Sequence, residues 1–208
     1  MAAVRGHLGD ETPFAFRQAV EDLRAARPRP EIRIEEVPAP RRLAPYAFAL
    51  EATVVADGEE TADGRLVLLH EPEGQEAWQG VFRLVTLTRA ELEPEMAGDP
   101  LLPEVSWSWL TGALAARAAG YHDPSGTVSR ASSHYFGGIA DRQDDTQIEI
   151  RASWTPAERP GAAGPDLPAH LAAWCDLLCA CAGLPPAEGA DSVLRAPAGV
   201  LPLPKRRT

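Results

Sequence analysis

The sequence is short of cysteine, of long apolar runs and of positive charge, and each shortage removes a class of protein. Its 208 residues include three cysteines, Cys175, Cys179 and Cys181. An odd, clustered set builds no disulfide framework, so a reducing, cytoplasmic setting is expected. The most apolar late stretch, Leu171 to Leu184, is interrupted by Asp176. It falls short of the ~20 apolar residues a membrane helix needs, so no membrane partner is expected. Met1 to Glu11 hold no apolar segment of the signal-peptide kind. Acidic residues outnumber basic ones 30 to 20, a net charge of −10. Phosphate backbones are held mainly by Lys and Arg, so nucleic acid is disfavoured as a general partner. Arg24, Arg27, Arg29, Arg33, Arg41 and Arg42 do cluster near the N-terminus. They read as a solvated face balanced by nearby glutamates.

Motifs of established chemistry are missing as well. There is no G-x-S-x-G elbow, and Gly137-Gly138 precedes no Lys-Ser/Thr pair, so neither a hydrolase nor a phosphate loop is indicated. His70, His122 and His134 have no close partner of the kind zinc sites show. Cys175, Cys179 and Cys181 form C-x3-C-x-C on a helical stretch without a histidine nearby; they read as small buried hydrophobes. No catalytic residue, metal or cofactor is assigned.

What remains is an ordinary globular composition, 45% apolar and 24% charged. Its 20 prolines fall mostly between elements and in the tail. One domain is expected over residues 12–184, with a flexible stretch at 1–11 and a Pro/Ala-rich tail at 185–208. Thr12 is expected as the N-cap of a first helix, with Pro13 at its first position. Phe16, Ala19, Val20 and Leu23 then make one apolar stripe. Strands follow at 31–37, 46–55, 65–70 and 81–88. Asp57-Gly58 and Asp63-Gly64 are read as bracketing a polar hairpin loop. Apolar residues on both faces of the strand at 81–88, across the intervening Arg83, mark it as central. A helix starts near Pro100 to Pro103, with Gly120 as its C-cap. Strands at 127–136 and 146–154 and a helix at 168–182 complete the order α-β-β-β-β-α-β-β-α. Short connections favour antiparallel pairing, so the expected fold is α+β: a twisted antiparallel sheet of five to six strands with three helices on one face or at both ends.

Several blocks carry a resemblance to a known family. They include Arg41-Arg42-Leu43-Ala44-Pro45-Tyr46, Gln75-Glu76-Ala77-Trp78, the run from Arg89 to Met96, Trp107-Ser108-Trp109-Leu110 and Glu149-Ile150-Arg151-Ala152-Ser153-Trp154. From about residue 14 to 184 the chain resembles an actinobacterial family known as domain of unknown function 3000. The resemblance implies an actinobacterial cytosolic protein and no particular activity. The element order is also similar to that of small secretion-chaperone-like domains, which bind polypeptides and often dimerise; that likeness is one of fold only.

Two sets of residues stand out as candidates. Trp107 and Trp109 sit two apart at a helix start, about 200° around the axis, so they cannot both enter one core. With Trp78, Tyr135 and Phe136 they form the interaction candidates, since exposed aromatics are enriched at binding hot spots. Glu91 and Glu93 would share one strand face about 7 Å apart if that strand continued, where paired carboxylates can hold a cation or share acid–base work. His134, Arg130 and Arg151 join them as ligand candidates; Ser132 could share a face with His134. The leading expectation is a non-enzymatic partner-binding or adaptor domain whose partner is another protein or a second copy in a homodimer. The alternatives are a small enzyme or small-ligand binder using Glu91, Glu93 and His134, and an accessory factor in RNA metabolism, which would need the N-terminal arginines to form a continuous patch.

Overall fold

Residues 12–92, 96, 98–159, 161 and 164–186 are described by a computed structural model. The chain forms α1 (Phe14–Ala25), β1 (Ile32–Val37), β2 (Tyr46–Ala56), β3 (Glu59–Gln75), β4 (Gly80–Glu91), α2 (Leu102–Ala116), β5 (Tyr121–Ser133), β6 (Asp145–Pro156) and α3 (Leu167–Cys181). The six strands make one open antiparallel sheet in the order β1-β2-β3-β4-β6-β5, and the three helices pack against one face. No helix among the described residues is long and apolar enough to cross a membrane.

The register explains the layering. Alternate residues project to opposite faces of a strand. Phe48, Leu66, Leu84 and Ile150 all point inward, toward the helices, and join the main core. α3 lies at the heart of that layer and is buried on nearly all sides, including His170, Trp174, Leu177 and Cys179. An Asp166 side chain at its N-cap accepts the Ala169 amide (3.2 Å), as a helix end requires. On the outer face, Ala49, Val67 and Leu69 form a second, small core. The β1–β2 connection roofs it through Ala39 and Ala44, together with Trp78. Among the described residues the β4–β6–β5 half of the outer face has no such roof.

Four local expectations are corrected. Asp63-Gly64 is not a turn: β3 runs straight through it, and the β2–β3 hairpin closes on Asp57-Gly58, both with positive φ. Gly64 is there for space. A Cβ would sit 2.5 Å from the Leu87 carbonyl and 2.9 Å from the Trp174 ring. Thr12 is not the N-cap of α1; Pro13 occupies that position with no side-chain cap, and Thr12 instead offers its carbonyl to Arg17. Gly120 is not the C-cap of α2, which ends at Ala116 with Ala118 in the left-handed region (φ 51°). β5 begins at Tyr121, not near Thr127. A bulge between His122 and Ser125 absorbs Pro124, and an edge strand tolerates the lost donor.

Candidate functional site

The two helix-start tryptophans flank the buried stripe of α2. Leu102, Ser106, Leu110 and Leu114 face the core, and the tryptophans take opposite shoulders, each half-buried against it. Trp107 lies over Gly126 of β5: a Cβ there would come within 2.7 Å of its ring. Trp78 packs on the outer-face core and lends its carbonyl to the Thr155 hydroxyl (2.6 Å). All three tryptophans thus pack on the cores while staying only partly buried.

Tyr135 and Phe136 differ. They sit in the β5–β6 hairpin, whose base is pinned by polar bonds. The Tyr135 hydroxyl donates to Asp145 (2.6 Å), which holds that carboxyl below its usual range and raises the phenol. Arg142 lies over the Tyr135 ring, and His134 pairs with Asp144 (2.7 Å). At the tip, Gly137 takes positive φ (64°), and Phe136 (79% exposed) and Ile139 (47%) project into solvent. Arg130, nearby on β5, donates to the Asp99 carbonyl (3.3 Å), which ties the hairpin's end of the sheet to the start of α2. Leu101 (57%) and Val105 (40%) stand exposed there. Four of the six large apolar side chains exposed among the described residues therefore fall on two segments, the hairpin tip and the start of α2.

Among the described residues the ligand candidates do not converge. Glu91 ends β4 and lines a depression of about 190 Å³ with Asp63 and Arg89. Glu93 lies outside the described residues. His134 is engaged with Asp144, and Ser132 with Thr146 (2.9 Å) rather than with His134. Arg151 is on the outer face, bonded to Glu149 (2.8 Å). The three histidines also stay apart. His70 is buried between the rings of Phe16 and Phe82, with Nδ1 at the Val81 carbonyl, while His122 meets Asp123. Burial pushes the Cys175 and Cys181 thiols up to about 12 and that of Cys179 to about 11, the reverse of what a reactive thiol needs. No group of three or more metal-ligating side chains forms among the described residues. The N-terminal arginines are partly spent on glutamates: Arg24 on Glu36 (2.8 Å) and Arg29 on Glu31 (2.9 Å).

One arrangement escaped the sequence reading altogether. Arg83, in central strand β4, points to the outer face yet is only 7% exposed. Among the described residues its guanidinium bonds to no carboxylate. Nη1 donates to Thr155 (3.0 Å), and Nη2 to Ser153 (2.8 Å) and Ser125 (3.2 Å). Burial lowers its pKa, and Asp123 only partly counters this. Beside it opens a concavity of about 500 Å³, walled by Arg65, Arg151, Val85 and Leu87 and by the Ser125, Thr127 and Ser153 side of β5 and β6, with no acidic residue in its lining. The signal in the sequence was a lone arginine inside the apolar alternation of Val81 to Thr88; its hydroxyl partners come from strands 42 to 72 residues away, which no local pattern reveals.

A family model described as "Protein of unknown function (DUF3000)" matches residues 12–191. No curated protein and no solved structure matches the chain. The likeness to secretion-chaperone-like domains therefore rests on element order alone.

Proposed function

The chain belongs to the DUF3000 family, described as proteins of unknown function, and we propose that this member is a non-enzymatic adaptor that binds a protein partner through the hairpin end of the sheet. One observation carries the reading: Phe136 and Ile139 lie exposed on a hairpin tip whose base is held by Tyr135–Asp145 and His134–Asp144, while Leu101 and Val105 stand exposed at the start of α2, which Arg130 ties to β5. A pinned apolar tip loses little side-chain freedom on docking, which favours affinity. Asp141 and Asp144 lie in the same hairpin connection, and Glu104 is in the first turn of α2. The partner fitting this surface is a polypeptide with an apolar pocket and a basic rim, because complementary charge sets register and speeds encounter.

A photo-cross-linking residue at position 136 tests this, with one at exposed Leu43 as control. The protein captured at 136 is then purified and titrated against the chain. Phe136→Asp with Ile139→Asp should weaken that complex roughly a hundredfold, as the loss of two central anchors does. Unchanged affinity sinks the reading. An adduct of the chain with itself would replace the foreign partner by a homodimer.

A further inference from the structure

A buried arginine normally faces an acid. Arg83 faces hydroxyls, and their protons can be followed. Ser125, Ser153 and Thr155 all accept from its guanidinium. The Thr155 proton goes to the Trp78 carbonyl. Ser125 and Ser153 lie 3.1 Å apart, so one donates to the other and the remaining hydroxyl proton has no acceptor within the cluster. On the adjoining wall, Arg65 spends Nη2 on Glu51 (3.1 Å), but its buried Nε has no hydrogen-bond partner. Donors thus outnumber acceptors around one concavity, and no acid lines it.

The charges also count. Arg65 is offset by Glu51; Arg89 and Arg151 share Glu149, with Asp63 beside Arg89. Among the described residues Arg83 is bonded to no acid and is countered only in part by Asp123, so the positive charge around the hollow favours a small anion. Val85 and Leu87 give the same hollow an apolar wall, and about 500 Å³ is the size of a small-molecule site.

We propose that this concavity is a binding site for a small organic carboxylate, its oxygens received by the Ser125 and Ser153 hydroxyls that Arg83 bonds from behind, with Arg65 and Arg151 on the same walls, and its apolar body lying on Val85 and Leu87. A hydroxyl that accepts from a guanidinium is polarised into a stronger donor, and the charge behind it favours a negative ligand. The site lies at the Ser125 end of β5, away from the hairpin tip, and stands or falls independently of the docking reading.

The test is amide-resolved NMR titration of the intact chain with benzoate and hexanoate, beside hexanol as the neutral analogue and inorganic phosphate as the competing anion. Saturable shifts at Ser125, Thr127 and Ser153 with the two carboxylates alone are expected. Arg83→Gln should weaken binding roughly tenfold or more, the effect of losing a charged hydrogen bond. Should Arg83→Gln fail to fold, Ser125→Ala and Arg151→Gln, both at exposed positions, keep the question open to measurement: each should weaken benzoate several-fold. Equal shifts with hexanol, equal or tighter binding of phosphate, or benzoate binding indifferent to all three substitutions would overturn the proposal.

Discussion

On the inner face of the sheet, Thr88 accepts the Trp174 indole (3.2 Å) and His170 accepts the Trp154 indole (3.1 Å), both inside a dry layer of leucines and isoleucines. On the outer face, a few ångströms of backbone away, Arg83 brings a full charge under cover with hydroxyls alone. The inner pairs join neutral groups and cost little once bonded. The outer cluster keeps a charge out of water with no bonded carboxylate and only the partial influence of Asp123, which is expensive. Structures retain such arrangements where they bind something. The contrast therefore separates what holds this fold from the site proposed to bind a ligand.

The inner face should be the brittle one. Trp174 has no exposed surface and touches both Thr88 and the Gly64 notch of β3. Trp174→Ala should cost about 4 kcal/mol, through the lost indole and the cavity it leaves, measured by urea unfolding. A smaller loss would mean that α3 can settle into the gap.

Next in size is a pH effect from His170. Its Nδ1 accepts the Trp154 indole, which leaves the proton on a buried Nε2 facing the Gly120 carbonyl. Burial lowers its pKa from 6.5 to about 4. The folded state therefore prefers the neutral ring. The stability this gives is complete above 6.5 and drains away as pH falls toward 4, by about 3 kcal/mol in all. His170→Gln removes that proton uptake, so unfolding curves of the two proteins should converge over this window. Parallel curves would show that the ring already titrates freely in the fold.

Gly64→Ala comes third, at about 2 kcal/mol, because the new methyl must displace the Leu87 carbonyl or the Trp174 ring. This residue also shows where sequence reasoning failed. Asp-Gly is a strong turn signal, and it was overridden here because the third strand passes under α3 at the one point where a side chain cannot fit. The long, strongly patterned parts were legible: the stripe of α1, the two-sided β4, and the order of strands and helices follow from period alone. The aromatic pair was legible as a geometric conflict but not in its resolution, since two shoulders of one helix can both be half-buried. The outer cluster was illegible because its chemistry comes from pairing. Only the β4–β6–β5 register sets Ser125 and Ser153 beside Arg83, and register is a property of the whole sheet.

The smallest stability change is the most telling. Arg83→Met keeps much of the volume and removes the buried charge. It strands no acid, because none is bonded to the guanidinium. The three hydroxyls lose a shared donor but can still bond one another, Trp78 and water. Replacing buried charge with apolar volume is often neutral or stabilising, so the expected change is within about 1 kcal/mol of zero. Inner-face substitutions of similar burial lose several times that. If Arg83→Met proves as damaging as Trp174→Ala, Arg83 is a strut of the sheet and the two faces do one job. If stability holds while benzoate no longer shifts Ser125 and Ser153, the chain carries a costly cation for its ligand, at the one place on the sheet where structure does not need it.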